Sequence, residues 1–565
     1  VLLINKHEDS SSALAQNDPV NTFENKLNAH DTSGLETTFN FNGSNILYLN
    51  DVLLALNNQN WTEEEKPCFD KTVWWLRELK NFTLWAVWDW DAISSEPQGL
   101  LFGSRFHLGN YNECMNAPWR TDRPELRTQY CLADISLHRT GDPLKNGISD
   151  PYDPYQSALN LIEHVSIFRR PLNQLTWGVC VPAVCHRNSV VRLMGILLAH
   201  SHLGAAGLRA DVTVPDECQK AGVDTEYDIL FYTFILVCSC LIVINIICTV
   251  LNRPASSLRG PLTNAFDLRG NARDVLKVKK SGLETLYGIR FLTMSLIVIA
   301  HQKVTSLFGL LLIHADLLVD TFFLVSGLLT AFTVTKINVR LNIILSLFLK
   351  RYLRLVVAYA LVIYYVSAVY PYTGSGPLWH RAVAQDTVQC RKNWWLSLLM
   401  LGNYVDTDNM MFTYDFMTNF RGPRQFQITY IKSHTRYAAY LIGFFTGCII
   451  EKYSKDTVKR ISQKWAIIGS CVGFTTMMVT QLTGSMVLWR EFTAIESALY
   501  AAFNRPIWAC GAALFTLSCV FGNVPLVNSF LRWYPWVPLS RLSYGVYLVH
   551  SVIILRDVSF QYNIL

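Results

Sequence analysis

The chain has 565 residues, of which 51% are hydrophobic, and its mean hydropathy of +0.20 excludes an ordinary soluble enzyme. The formal net charge of +6 is modest for this length. Basic residues cluster beside the apolar runs, which indicates orientation in a membrane rather than nucleic-acid binding. Residues 1–225 are polar and rich in tryptophan, whereas 226–565 is a series of long apolar runs typical of a membrane protein.

The first segment, residues 1–45, is rich in Ser, Asn, Asp and Thr and has little periodicity, so we predict a mobile N-terminal arm. The chain begins at Val1 without a methionine and without a charged region before an apolar core. We therefore expect that a signal peptide has been removed or precedes this sequence.

Residues 46–222 have enough apolar content for a compact domain, and six of the 14 cysteines precede the first apolar run. An even set in a domain outside the membrane predicts three disulfides in an oxidising compartment, with the pairing left open. The predicted disulfide cysteines are Cys68, Cys114, Cys131, Cys180, Cys185 and Cys218. Glycosylation sequons at Asn42, Asn60 and Asn81 agree with that compartment. Zinc is the competing interpretation, but no Cys-x2-Cys pair is present, so no metal site is predicted.

Within this domain, 51–56, 72–79 and 159–168 have helix-like spacing of apolar residues, which predicts a mainly helical fold. Residues 211–220 are predicted to be a tether that leads to the membrane.

The second part, 228–565, contains eight candidate membrane spans. They are 228–251, 283–303, 317–335, 352–370, 437–450, 465–488, 506–521 and 542–555. The fold class predicted for the whole chain is therefore all-α: a polytopic helical bundle in the membrane, joined to a small disulfide-linked domain. Basic residues concentrate in 252–282, 336–354 and 452–464. These loops are cytoplasmic by charge bias if the cysteine-rich domain is lumenal or extracellular, as expected in the endoplasmic reticulum or plasma membrane.

The most informative residues are Arg290 and His301, which lie eleven positions apart with ten uncharged residues between them. On a helix this spacing returns to within about 20° of the same face and separates the two residues by about 16 Å. Arg351 and Arg354 share a face at the start of another span. Three guanidinium groups could bind a phosphorylated donor, and the histidine could act as a general base. The alternatives are that the arginines only set topology and that the histidine is a structural hydrogen-bond partner.

Asp320 begins the third span, near the predicted end of the Arg290–His301 helix. It could orient the imidazole of His301 or simply cap its own helix, and both interpretations stay open. Ser326 and Gly327 are small residues suited to close helix packing. Tyr544, Tyr547 and His550 form a polar stripe on the last span, for which packing is favoured over chemistry.

These motifs resemble the acyltransferase-3 family of transmembrane acyl transferases. The arginine–histidine spacing, the Arg351-x-x-Arg354 pair, the segment Asp320-Thr-Phe-Phe-Leu-Val-Ser-Gly and the segment from Leu542 to His550 match that family. The front half resembles the cysteine-rich domain of animal "nose resistant to fluoxetine" proteins. Its matching segments include Leu108-Gly-Asn-Tyr-Asn-Glu-Cys114 and Gly178-Val-Cys-Val-Pro-Ala-Val-Cys185. In the second part of the chain, the basic Cys390-Arg-Lys-Asn-Trp-Trp395 also fits these proteins.

The resemblance implies an integral-membrane O-acyltransferase that moves an acyl group from cytoplasmic acyl-coenzyme A to a lipid or lumenal acceptor, with no bound cofactor. It implies His301 as the base, and Arg290, Arg351 and Arg354 on the donor. It also implies a link to uptake or trafficking of lipids and hydrophobic drugs. Relative to the family, about two spans are missing near 401–436 and a last span is missing after 565. The alternatives are a non-enzymatic transporter of lipids or hydrophobic drugs and a catalytically inactive scaffold.

Overall fold

The architecture comes from a computed structural model of the 565-residue chain. It describes residues 47–93, 97–119, 121–139, 154–155, 157–162, 171–215, 218–222, 226–252, 260–278, 282–302, 316–335, 341–405, 432–454, 461–486 and 492–561. The chain divides into two compact units, Val1–Asn50 and Asp51–Leu565. Only 47–50 of the first unit are described, so the account below concerns the second. The predicted arm at 1–45 lies outside the described residues.

The disulfide-linked domain contains a five-stranded sheet, which the prediction of a mainly helical domain missed. Its strands are β1 (Phe106–His107), β2 (Thr128–Arg139), β3 (Gln174–Pro182), β4 (Leu208–Thr213) and β5 (Gln219–Lys220). The order is β1-β3-β2-β4, with β5 also paired to β2. The central pair is antiparallel and aligns Tyr130 with Cys180. The all-α fold class is therefore wrong for this domain.

Helices surround that sheet. They are α1 (Leu47–Asn57), α2 (Lys66–Lys80), α3 (Leu84–Asp91), α4 (Tyr111–Met115), α5 (Ala158–Ile162), α6 (Arg187–Ala199) and α7 (His202–Ala205). The predicted helical spacing at 51–56 and 72–79 falls inside α1 and α2, and 159–162 falls in α5. Of the predicted tether at 211–220, residues 211–213 belong to β4 and 219–220 to β5, and both strands pair with β2. Between them, Cys218 is bonded to Cys131 of β2.

The three predicted disulfides are present, and each connects elements that are distant in sequence. Cys68 of α2 is bonded to Cys185, and Cys114 of α4 is bonded to Cys180 of β3. The third joins Cys131 to Cys218. Since the first closes a separation of 117 residues, the pairings restrain the unfolded chain strongly as well as joining helices to sheet.

The second part is helical throughout its described residues. The helices are α8 (Ile229–Leu251), α9 (Pro261–Ala265), α10 (Leu268–Leu276), α11 (Thr285–Gln302), α12 (Asp316–Val334), α13 (Leu341–Ala368), α14 (Gln385–Leu398), α15 (Tyr437–Ser454), α16 (Gln463–Ser485), α17 (Ala494–Phe521), α18 (Pro525–Leu531) and α19 (Trp536–Gln561).

Each of the eight predicted spans overlaps one of these helices, although α13 begins at Leu341, eleven residues before the predicted start at 352. By length and hydropathy, four described helices could cross a membrane: α8, α12, α16 and α19. The bent pair α17 and α18, which meet at 96°, makes a fifth if it is one span. Helix α11 is apolar but shorter. The candidate membrane helices indicate an integral membrane protein.

Glycines allow α12 and α15 to pack with their backbones almost in contact. A Cβ atom on Gly443 would lie 2.0 Å from the carbonyl oxygen of Leu324, and one on Gly327 would lie 2.1 Å from that of Tyr440. Gly447 approaches Leu328 in the same way. The predicted packing role of Gly327 is therefore confirmed, because any larger residue would separate these two helices.

Polar contacts join the disulfide-linked domain to the segment that follows α13. Arg381 forms an ion pair with Asp134 of β2 at 2.7 Å, and the amide of Gln219 donates to the carbonyl of Gly376 at 3.3 Å. Arg391 of α14 also forms an ion pair with Asp228, just before α8. These contacts place the sheet beside the C-terminal end of α13.

Candidate functional site

Arg290 and His301 lie on the same helix, α11, as their spacing predicted. Between them, Met294 and Ile297 are buried against Leu317 of α12 and Trp508 of α17. Both Arg290 and His301 are half-buried, so neither projects fully from the protein. Helix α11 therefore carries a cation near its start and an imidazole at its end.

His301 is hydrogen-bonded to His550 of α19. The distance from Nδ1 of His301 to Nε2 of His550 is 3.1 Å, and the two rings are nearly parallel, with an interplanar angle of 15°. The other ring nitrogen of His550, Nδ1, lies 2.7 Å from the backbone carbonyl oxygen of Tyr547. His550 is only 7% exposed. The packing role favoured for His550 from the sequence did not include this direct contact with His301.

The two histidines meet because α11 and α19 run side by side in the same direction. The ring of Phe291 stacks on Trp536 with centroids 4.7 Å apart, near the starts of the two segments. Gly288 packs against the backbone of Leu531. A Cβ atom on Gly288 would lie 2.6 Å from the carbonyl oxygen of Leu531 and 2.7 Å from its Cα atom. Close contact at this end fixes the register that brings His301 to His550 further along.

A second group of residues lies near the start of α11. Arg354 of α13 is close enough to Arg290 for their like charges to interact. Neither guanidinium forms an ion pair with a carboxylate within the described ranges. Two neighbouring positive charges without an acidic partner favour the binding of an anion, and arginine suits phosphate.

Arg351 makes different contacts. It lies one turn before Arg354 and donates hydrogen bonds to the hydroxyl groups of Ser326 and Thr330 on α12. The side chain is exposed, so it remains accessible. The structure therefore brings Arg290 and Arg354 together and directs Arg351 toward the neighbouring helix.

Asp320 has partners other than the one predicted for it. Its carboxylate lies 3.3 Å from Arg436, which directly precedes α15, and 3.6 Å from Arg505 of α17. Arg505 also lies 3.9 Å from Asp316. Among the described contacts, none links Asp320 to His301. Neither arginine was proposed from the sequence, because both lie more than 100 positions from Asp320.

The histidine pair lies toward the disulfide-linked domain. The hydroxyl of Tyr370, just after α13, donates to the carbonyl of Val552, two residues after His550. Tyr372, in the same segment as Tyr370, lies against Tyr227 beside the start of α8. The histidine pair and the arginine pair therefore occupy opposite ends of α11.

The predicted glycosylation sites and one buried carboxylate that was not singled out from the sequence belong to the disulfide-linked domain. Asn60 and Asn81 are exposed, as a glycosylated asparagine must be, whereas Asn42 lies outside the described residues. Asp89 of α3 is buried, and one of its carboxylate oxygens has no hydrogen-bond partner. Burial, reinforced by the nearby charge of Glu113, raises the pKa of Asp89 to about 7. No group of three or more metal-ligating side chains occurs in the described part of the chain.

The chain is similar to known proteins in both parts. Residues 68–194 match the family model for the nose resistant-to-fluoxetine protein, N-terminal domain. The chain is also similar to a curated protein, Nose resistant to fluoxetine protein 6 of Caenorhabditis elegans. The two are 22% identical over 621 aligned positions, which cover 87% of this chain and 75% of that protein. The family model and this relative agree. They support a nose resistant to fluoxetine-like family. The matched domain contains five of the six disulfide cysteines, and the longer alignment extends the likeness to the membrane helices. No solved structure matches the chain.

Proposed function

We propose that this nose resistant to fluoxetine-like chain is an integral-membrane O-acyltransferase. In this proposal the disulfide-linked domain is lumenal or extracellular, in a membrane of the secretory pathway, and the start of α11 faces the cytoplasm. Disulfides, exposed sequons and the basic segments between helices support that orientation. Acyl-coenzyme A is then the cytoplasmic donor, and the acceptor is a hydroxyl group on a lipid or a lumenal molecule.

The observation that carries the proposal is the pair of unlike sites on one helix. Arg290, beside Arg354, has no carboxylate partner in the described part of the structure, and His301 lies eleven residues further along. A helix of that length separates them by about 16 Å. Phosphates of the donor would contact the arginines, while the extended thiol arm and thioester would reach toward the imidazole. Arg351, exposed beside them, would add a third donor contact.

The reaction follows from the histidine's chemistry. An imidazole nitrogen of His301 accepts the proton of the acceptor hydroxyl as its oxygen attacks the thioester carbonyl carbon. The carbon–sulfur bond breaks, and the coenzyme A thiolate leaves with the proton that the imidazole releases. A new ester and free coenzyme A are the products, and the histidine returns to its starting state. In this scheme Asp320 holds Arg436 and Arg505 in place and does not contact the reacting atoms.

The test is acyl transfer in membranes that contain the full chain. His301→Ala is expected to lower transfer from labelled acyl-coenzyme A by about 10²–10⁴-fold, the contribution typical of a general base. His434→Ala is a matched control, because His434 is exposed. Equal expression and intact disulfides in the two variants show that any loss reflects the site. Transfer that is unchanged in His301→Ala would remove this histidine from the mechanism.

The same preparation distinguishes the two alternative functions. A lipid or hydrophobic-drug transporter would move cargo without acyl-coenzyme A and would keep that movement in His301→Ala. An inactive scaffold would show neither transfer nor cargo movement, and its disulfide-linked domain would bind a partner. Either result contradicts the acyltransferase proposal.

A further inference from the structure

The hydrogen bonds around His550 determine which nitrogen of His301 can act as a base. A backbone carbonyl oxygen only accepts hydrogen bonds, so the 2.7 Å contact with Tyr547 requires a proton on Nδ1 of His550. The described residues place no carboxylate in an ion pair with either ring, and burial disfavours a charged imidazole. A neutral His550 with its proton on Nδ1 has a bare Nε2.

That bare nitrogen can only accept. Because Nε2 of His550 lies 3.1 Å from Nδ1 of His301, the proton between them belongs to His301. A neutral His301 that is protonated at Nδ1 has a lone pair on Nε2, directed away from His550. The carbonyl of Tyr547 thus fixes the tautomer of His550, and His550 in turn fixes the tautomer of His301.

We propose that His550 is a positioning residue, which holds His301 in the tautomer whose Nε2 is the catalytic base. The kinetic consequence of this inference rests on the proposed acyltransferase function, whereas the tautomer assigned to His301 does not. Without His550, His301 could carry its proton on either nitrogen and could rotate. The polar stripe of Tyr544, Tyr547 and His550 on α19 then has a function beyond packing. Tyr544 supports the same helix by donating to the carbonyl of Leu355 at 3.0 Å.

The structural test is solid-state nitrogen-15 NMR of the full chain in lipid bilayers, with histidine labelled. The His301 signals are assigned by their loss in His301→Gln. The expected result is a protonated Nδ1 and a bare Nε2 for His301. A protonated Nε2 in the wild-type protein would overturn the inference whether or not the protein transfers acyl groups.

The kinetic test compares two substitutions of His550. Leucine cannot accept a hydrogen bond, whereas the side-chain oxygen of glutamine can replace Nε2 as an acceptor. We expect His550→Leu to lower kcat by about 10²–10⁴-fold with an unchanged KM for acyl-coenzyme A, and His550→Gln to lose less than about tenfold. Wild-type turnover in His550→Leu, or equal losses in both folded variants, would overturn the inference. If His550→Leu does not fold, two other results decide the inference. A bare Nε2 of His301 in the NMR spectrum and a His550→Gln loss below about tenfold support it, whereas a protonated Nε2 or a loss above about tenfold overturns it. Absence of transfer by the wild-type protein contradicts the proposed function instead.

Discussion

The disulfide-linked domain and the membrane helices are held together by different interactions. The first has three covalent links that join α2, α4 and the sheet, whereas the described cysteines of the second are all free. The helices rely instead on close backbone approach at glycines and on the buried charges around Asp320. The first part is therefore held by covalent bonds, whereas the second depends on noncovalent packing.

The largest effect is expected from breaking a covalent link. Cys68→Ser together with Cys185→Ser removes the disulfide that spans 117 residues and should cost about 2–4 kcal/mol of stability. The measurement is the thermal unfolding midpoint of the purified protein in detergent. Cys510→Ser is the control, because Cys510 is free and exposed. An unfolding midpoint equal to that of the control would show that the domain does not depend on this link.

The next effect concerns the helix contact. Gly443→Ala places a Cβ atom 2.0 Å from the backbone of Leu324, which should cost about 1–3 kcal/mol by forcing the helices apart. Gly545→Ala is a matched control, since a Cβ atom there meets nothing within 4 Å. The thermal midpoint of the first variant should fall and that of the second should not. Similar midpoints would mean that α12 and α15 are not packed through these glycines.

The next effect is smaller per pH unit and concerns the buried carboxylate of Asp89 in the disulfide-linked domain. The folded pKa of Asp89 is raised from 3.8 to about 7, so between these values the folded protein holds a proton that the unfolded chain has released. Stability should therefore fall as pH rises through that window, by up to about 1.4 kcal/mol per pH unit. Asp89→Asn should flatten this slope and raise the thermal midpoint at pH 8, whereas Asp91→Asn, at an exposed site on the same helix, should do neither. An unchanged slope in Asp89→Asn would contradict the raised pKa.

The smallest effect is expected where the two parts meet. Arg381→Ala removes the ion pair with Asp134, whose side chains are 38% and 45% exposed, so the loss should be only about 0–1 kcal/mol. Limited proteolysis of the segment around Gly376 reports on this contact more sensitively than thermal unfolding does. A loss as large as that of the cysteine variant would mean that the two parts depend on each other for stability.

The features predicted correctly from the sequence are those with a local signal. Disulfide cysteines and long apolar helices are visible in composition and in runs of residues. The sheet was missed because β3 is buried along nearly its whole length, so polar and apolar residues alternate only over 174–177. In β2 such alternation is confined to 134–138. Short apolar runs of this kind are ambiguous between strand and helix. The segment 211–220 was also misread, because its place in the sheet depends on a partner cysteine at 131.

The candidate site shows the same limit. The spacing of Arg290 and His301 is a property of one helix, so the shared helix could be predicted. The contact with His550 spans 249 positions, and that of Asp320 with Arg436 spans 116. Nothing in local periodicity reports such pairs. The polar stripe at Tyr544, Tyr547 and His550 was the available signal for the first of them.

The most direct test of the account compares Arg290→Gln and His301→Gln in one assay, with purified full-length protein in lipid vesicles and acyl-coenzyme A as the varied substrate. Because Arg290 is assigned to the donor and His301 to proton transfer, the first substitution should raise KM with little change in kcat. The second should lower kcat with little change in KM. If both variants changed the same kinetic constant, or if neither differed from wild type, the assignment of two separate sites to one helix would be contradicted.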